Sequence, residues 1–343
     1  MYVQQFNAVN EGIEKTKRVV IGLGCSFAQG QGAIDDELYE QYKFTVDKLG
    51  IPAEAKLMTR EQKLEIIKNN ELVTMGPEEK LDFTFMEYKN AFVDVLCNKY
   101  LDGRYTPMNL GIRGCGNRAT IKDLYMYPQI NWGGIEDIVV VYMPSGLERF
   151  DFIADTWTDH AHFKCMWPHY QDEHIPEGPR KTMWKGYAEY LWSEKFEVME
   201  QICHVQELMT WCQAKKAKLI VVPGFDTRYN KRYFLKHLRV SLARTMDGDI
   251  LESHYLHPYI NYMSDLINQF PWENMWRPGN YETFLHLVMG QEDEKTQKTG
   301  YWDFLGKGTP GGWLTPCCHP SAKGHDLLAK HLYDYLIEKN YLT

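Results

Sequence analysis

The run Arg18-Val19-Val20-Ile21-Gly22-Leu23-Gly24-Cys25-Ser26-Phe27-Ala28-Gln29-Gly30 decides the fold. A β-branched apolar stretch breaks at a glycine, presents one small hydroxyl residue, then passes into small and flexible positions. Strands buried on both faces of a parallel sheet have this near-continuous apolar character, and a helix follows the turn at their end. The pattern predicts a strand over residues 19–23 that delivers Ser26 to a helix N-terminus. Working outward, residues 105–110, 138–142 and 219–222 read the same way, and each runs into Gly or Pro. Helical spacing fills the intervals at residues 83–100, 118–127 and 194–216, and again at 321–339. Strands alternating with helices predict an α/β fold with a central parallel sheet of about five strands covered on both faces. Ligands of such sheets sit at the carboxyl edge of the strands.

Three segments exceed what a minimal α/β domain needs, at about 35–82, 151–190 and 226–315. The first contains a predicted helix at 60–70, opened by a Thr59/Gln62 capping-box pair. The other two are rich in Trp, His and Tyr, and all three read as insertions into carboxyl-edge loops of a single domain spanning 1–343. Their aromatic residues either shape a substrate site or fill small satellite cores. The net charge of −8 argues against a protein whose main task is gripping phosphate backbones. No apolar run approaches a transmembrane length, and Met1-Tyr2-Val3-Gln4-Gln5 has neither the basic start nor the apolar block of a signal peptide. The expectation is a cytoplasmic protein with neither nucleic acid nor membrane as partner. The eight cysteines are scattered without a C-x-x-C pair, so they are expected to be reduced and packed as small apolar groups.

Three further blocks bear on chemistry. Asn109-Leu110-Gly111-Ile112-Arg113-Gly114-Cys115-Gly116-Asn117 follows the second predicted strand, and Val141-Tyr142-Met143-Pro144-Ser145-Gly146-Leu147-Glu148-Arg149 spans the end of the third. His319-Pro320-Ser321-Ala322-Lys323-Gly324-His325 opens the last helix. A serine hydroxyl is a weak nucleophile at neutral pH and needs a neighbouring base and donors for the developing oxyanion. A histidine near the other end of the chain is a candidate for that base. Each block also has a plainer reading: Ser26 as a helix cap, the glycines as a turn, and His325 as a structural residue.

Together the blocks resemble the SGNH (GDSL-type) hydrolase superfamily. The resemblance implies a three-layer, flavodoxin-like fold, Ser26 as nucleophile and His319 as general base. It also implies an oxyanion hole built from the backbone of Ser26 and Gly114, with no cofactor and no metal. The chain departs from the family at three points. Cys25 stands where an Asp commonly precedes the serine. No Asn follows the third strand, which leaves Ser145 or Asn117 to supply the side-chain oxyanion donor. Pro316 stands where an Asp should precede the histidine by three residues, which leaves Asp303, Asp226 or a backbone carbonyl to orient the imidazole.

The implied activity is an esterase or deacylase acting on an acylated small molecule or glycan. Two alternatives stand beside it. One is a non-catalytic structural or binding protein on the same fold, favoured by the missing Asn and Asp. The other is a zinc or thiol site using Cys25, Cys115, Cys317, Cys318 and His319. The large insertions and altered blocks are similar to those of SGNH-like proteins of tailed bacteriophages, which implies a virion location and assembly into a larger particle.

Overall fold

The computed structural model describes residues 2–30, 33, 89–112, 115–125, 130, 132–153, 163–166, 178–236, 264–291, 312–314 and 319–342. Among these the strands are β1 (Arg18–Gly24), β2 (Thr106–Gly111), β3 (Asp137–Met143), β4 (Phe150–Ile153), β5 (Phe163–Met166) and β6 (Lys218–Val221). The helices are α1 (Tyr2–Thr16), α2 (Ser26–Gln29), α3 (Phe92–Val95), α4 (Asn117–Tyr125), α5 (Pro179–Gly186), α6 (Glu194–Lys215), α7 (Phe284–Met289) and α8 (Ala322–Glu338).

Four of the strands form one all-parallel sheet in the order β2-β1-β3-β6. Apolar side chains alternate between its faces, as a two-residue period requires. Val20, Val139, Val141 and Ile220 enter one core with Phe92, Val93 and Leu96 and with Leu328, Leu332 and Leu336 of α8. Val19, Ile21, Leu23, Val140 and Leu219 enter the other, under Ile13 of α1, Ile121 of α4 and Val198, Ile202 and Val205 of α6. The result is a helix–sheet–helix stack with a separate apolar core on each side of the sheet. Each fully buried leucine of α8 contributes about 1.5–3 kcal/mol relative to exposure, which anchors the helix that follows His319.

The chain leaves β1 for β2 on one side and reaches β3 on the other, so the winding reverses between β1 and β3. That reversal opens a crevice at the carboxyl ends of these two strands. Gly24 closes β1 there with φ +151°, and a Cβ on it would lie 2.3 Å from the Met143 carbonyl oxygen. Only glycine fits that conformation and approach. At the opposite end of the sheet, buried Asp137 accepts hydrogen bonds from Tyr105 Oη and, at 2.7 Å, from Lys218 Nζ.

The four strands match the predicted runs to within a residue at most ends, and a fifth appears only in rudiment. Met275 makes a single parallel bridge to Val221, beside which the Trp276 N–H donates to the Val221 carbonyl at 2.8 Å. The helix expected over 83–100 is interrupted: Ala91 is extended (ψ 148°), α3 begins after it, and the chain continues as a π-helical turn, Leu96–Tyr100. The predicted helix at 60–70 and the whole of the first insertion lie outside the described residues. The second insertion contributes the antiparallel β4–β5 hairpin and α5. Described parts of the third merge with the main cores: Tyr229, Phe234, Ile267 and Phe270 join the α6 side, and Trp276, Phe284 and Val288 the α8 side. Phe234, Phe270 and Trp272 pack ring on ring, with centroids 4.4–5.7 Å apart. Here the aromatic residues fill core.

Candidate active site

β1 ends at Gly24, Cys25 caps α2 from an extended conformation, and Ser26 opens the helix. The turn is short because Gly30 ends it in the left-handed region (φ 92°). Ser26 is 6% exposed, at the mouth of the crevice between β1 and β3.

His319 comes from the far end of the chain. The segment before α8 is held by a bridge between Leu314 and Pro320, and the Ser321 N–H donates to the Trp313 carbonyl at 2.9 Å. These contacts place the half-buried imidazole against α2. His319 Nε2 lies 2.8 Å from Ser26 Oγ, across 293 positions of sequence. Its ring centroid is 5.0 Å from that of Phe27, which also packs on Phe225 at 5.1 Å. The arrangement lets an imidazole take the proton of a serine hydroxyl.

His325, one helical turn into α8, has a different setting. It is fully buried, its ring stacked on Phe92 (interplanar angle 5°) and edge-on to Phe284. The Phe92 N–H donates to its Nδ1 at 3.3 Å. Burial, and to a lesser degree the neighbouring His319, pushes its pKa down to about 3. It is therefore neutral, with its proton on Nε2. Among the described residues, His325 Nε2 and Ser321 Oγ are the buried side-chain polar atoms without a hydrogen-bond partner.

Gly114 lies outside the described residues, but the chain on both sides of it is placed. The Ile112 N–H donates to the Gly24 carbonyl at 2.9 Å, and the Cys115 thiol donates to the Ile112 carbonyl at 3.0 Å. Burial, with Asp151 nearby, raises the Cys115 thiol well above its usual range, so it stays protonated. Cys317 and Cys318 lie outside the described residues.

The structure turns Asn117 and Ser145 inward. Asn117 Nδ2 donates to Tyr229 Oη (2.8 Å) and the Ser145 carbonyl (3.4 Å), while its Oδ1 accepts from the Ser145 N–H (2.6 Å) and Tyr142 Oη (3.0 Å). Both amide hydrogens are used, so neither is left for an oxyanion. The Ser145 hydroxyl donates to the Cys115 carbonyl at 3.1 Å and is likewise engaged. These two residues join the loop after β2 to the loop after β3. Asp226 accepts from the Leu147 N–H and from the Arg228 guanidinium at 2.7–3.1 Å, so its carboxylate is engaged by these donors. Asp303 lies outside the described residues.

Sequence reading passed over Asp151, Arg149 and Tyr229, which organise this edge. Nothing in their local spacing marks them, because their partners are set by tertiary contacts. A second, polar cleft lies on the α6 side of the same edge, lined in part by Arg149, Asp151, Glu197, Glu200 and His204. Burial raises Glu197 to about 8, although its carboxylate accepts a hydrogen bond from Trp192 Nε1, and burial lowers His204 to about 4. Both groups are mostly neutral at pH 7. Among the described residues, no helix is long and apolar enough to cross a membrane.

No protein-family model matches this chain, and neither the curated proteins nor the solved structures searched contain a match. The geometry of the Ser26–His319 pair thus carries the functional argument by itself.

Proposed function

We propose that the chain is an SGNH-type serine hydrolase that cleaves acyl or acetyl esters of a small molecule or glycan. The 2.8 Å contact between Ser26 Oγ and His319 Nε2 carries this reading, since nucleophile and base must lie at roughly 2.6–3.2 Å. The parallel-strand order also supports it: numbered by themselves, the four strands run 2-1-3-4, the beginning of the flavodoxin-like order.

In the proposed mechanism His319 Nε2 removes the Ser26 proton as Oγ attacks the ester carbonyl. The resulting oxyanion is met by backbone N–H groups of Ser26 and Gly114. Collapse breaks the ester bond, and the imidazolium returns its proton to the departing alkoxide. Water, deprotonated by the same imidazole, then attacks the acyl-serine; the imidazolium returns that proton to Ser26 Oγ as the Oγ–acyl bond breaks and the carboxylic acid leaves. Each oxyanion donor is worth on the order of 10²–10³ in rate, so a site relying on backbone donors alone is expected to be slow.

The test is turnover of p-nitrophenyl acetate and of acetylated glycans by wild type, Ser26→Ala, His319→Ala and the double variant, with fluorophosphonate labelling of Ser26. Both single losses should abolish turnover, and the double variant should be no worse, because residues acting as one unit are strongly non-additive. Folded wild type with neither labelling nor Ser26-dependent turnover sinks the proposal. A second reading, a non-catalytic SGNH-fold binding or structural component, is favoured by the inward-turned Asn117 and Ser145. That negative result would support it.

A further inference from the structure

Ser26 rides on a single turn of helix. Two bonds close α2, from the Gln29 N–H to the Cys25 carbonyl at 3.0 Å and from the Gly30 N–H to the Ser26 carbonyl at 3.1 Å. A helix this short is not stable by itself, so the direction of α2 comes from what it leans on. It leans on the end of β2. A Cβ at Gly111 would lie 2.3 Å from the Gln29 nitrogen and 2.6 Å from its Cα, so the backbone of α2 occupies the space that a side chain there would fill. At the leading end the tie is the Ile112 N–H, which donates at 2.9 Å to the carbonyl of Gly24, two residues before Ser26.

At the trailing end the tie is Asn109. Its Nδ2 donates to the Gln29 carbonyl at 3.1 Å, while its Oδ1 accepts from the Gly111 N–H at 3.0 Å. Only one orientation of the amide satisfies both, because a carbonyl accepts and an N–H donates. The bond to Gly111 is a local turn that locks the side chain to its own strand. The bond to Gln29 then locks α2 to that side chain. Gln29 is 7% exposed, and its carbonyl is one of the helix-end acceptors that no intrahelical N–H reaches. Ser26 and Gln29 are three residues apart in the same turn, so a tilt at one end moves the other. His319 hangs on a different element, the segment bridged from Leu314 to Pro320, and would not follow such a tilt. The 2.8 Å contact between Ser26 Oγ and His319 Nε2 therefore depends on how α2 is held.

We propose that Asn109 is a positioning residue for the nucleophile: it sets the tilt of α2 and thereby the alignment of Ser26 with His319. This inference rests on the esterase reading of that pair. Asn109 acts through the helix, from a carbonyl three residues beyond Ser26.

The experiment compares wild type, Asn109→Ala, Asn109→Asp and Lys218→Met on p-nitrophenyl acetate. Active sites are counted by the end point of fluorophosphonate labelling, and the rate constant of labelling is recorded as well. Asn109→Ala removes the tie. Asn109→Asp keeps the acceptor for Gly111 but turns a second oxygen toward the Gln29 carbonyl. Lys218→Met weakens the fold from the opposite end of the sheet and serves as the control for lost stability. In both Asn109 variants, kcat per labelled site and the labelling rate constant should fall together by about 10- to 100-fold, the range expected when a catalytic group is displaced by about an ångström. KM should stay within about twofold, since alignment of nucleophile and base acts on the transition state. Lys218→Met should keep the wild-type kcat per labelled site. A purely structural role would make the Asn109 variants behave like Lys218→Met, with fewer sites and an unchanged rate at each, and that result overturns the inference. An equal fall in Lys218→Met overturns it too, as does failure of both Asn109 variants to fold, which would assign the tie to folding. These outcomes leave the esterase reading standing. Absence of Ser26-dependent turnover in wild type overturns that reading and this inference with it.

Discussion

Acidification should loosen the helix behind His319, and His325 is the group responsible. Folding moves its pKa from 6.5 to about 3, because the charged ring would be buried between Phe92 and Phe284. Protonating Nδ1 would also remove the acceptor for the Phe92 N–H. The sign follows from proton binding: below pH 6.5 the unfolded chain takes up a proton that the folded protein refuses. The stabilisation is therefore complete above about pH 6.5 and is lost as pH falls toward 3, at up to about 1.4 kcal/mol per pH unit. Between pH 7 and pH 5 this single group should cost about 2 kcal/mol as an upper estimate. His325→Asn keeps an acceptor near the Nδ1 position without the titration. The variant will be less stable at pH 7 because the ring's packing is lost, but its own decline between pH 7 and pH 5 should be smaller than that of wild type by about 2 kcal/mol. Urea denaturation of both proteins at pH 7, 6 and 5 measures the difference. Parallel declines would refute the assignment, and with it the view that the ring is held neutral in a closed apolar setting.

Two further outcomes rest on other buried ionisable groups. Glu197 has the opposite linkage, since its pKa rises from 4.5 to about 8 on folding; its contribution is complete below pH 4.5 and is lost as pH rises toward 8. Glu197→Gln, which still accepts from Trp192 Nε1, should gain stability relative to wild type between pH 5 and pH 8, by up to about 3 kcal/mol at pH 7; a difference independent of pH contradicts this. Lys218→Met removes a cation from Asp137, whose carboxylate is 3% exposed, and should cost about 3 kcal/mol by denaturant titration, whereas a loss under about 1 kcal/mol would mean that the remaining partners, Tyr105 among them, satisfy the carboxylate.

Much of the scaffold was legible in the sequence. The β-branched runs at Val19, Val139 and Ile220 specify strands buried on both faces, because alternating burial is a property of a few consecutive residues. Gly24 marked the end of β1, and the motifs around Ser26 and His319 each had a local signature. The break at Ala91 was missed because helical spacing of apolar residues persists across it. Residues 83–100 were read as one helix for that reason.

What the amino-acid order determined by itself was which segments become strands and helices and which two residues are candidates for nucleophile and base. Only the tertiary structure decided which polar groups face the crevice. Asn117 looked free to donate until the fold brought Tyr229 and Ser145 to its amide. Asp151 looked like an unremarkable insertion residue until the Gly116 and Ala119 amides were placed against it. Hydrophobic burial is non-directional and leaves a periodic trace along the chain. A hydrogen bond depends on distance and angle between atoms remote in sequence, and no local pattern records it.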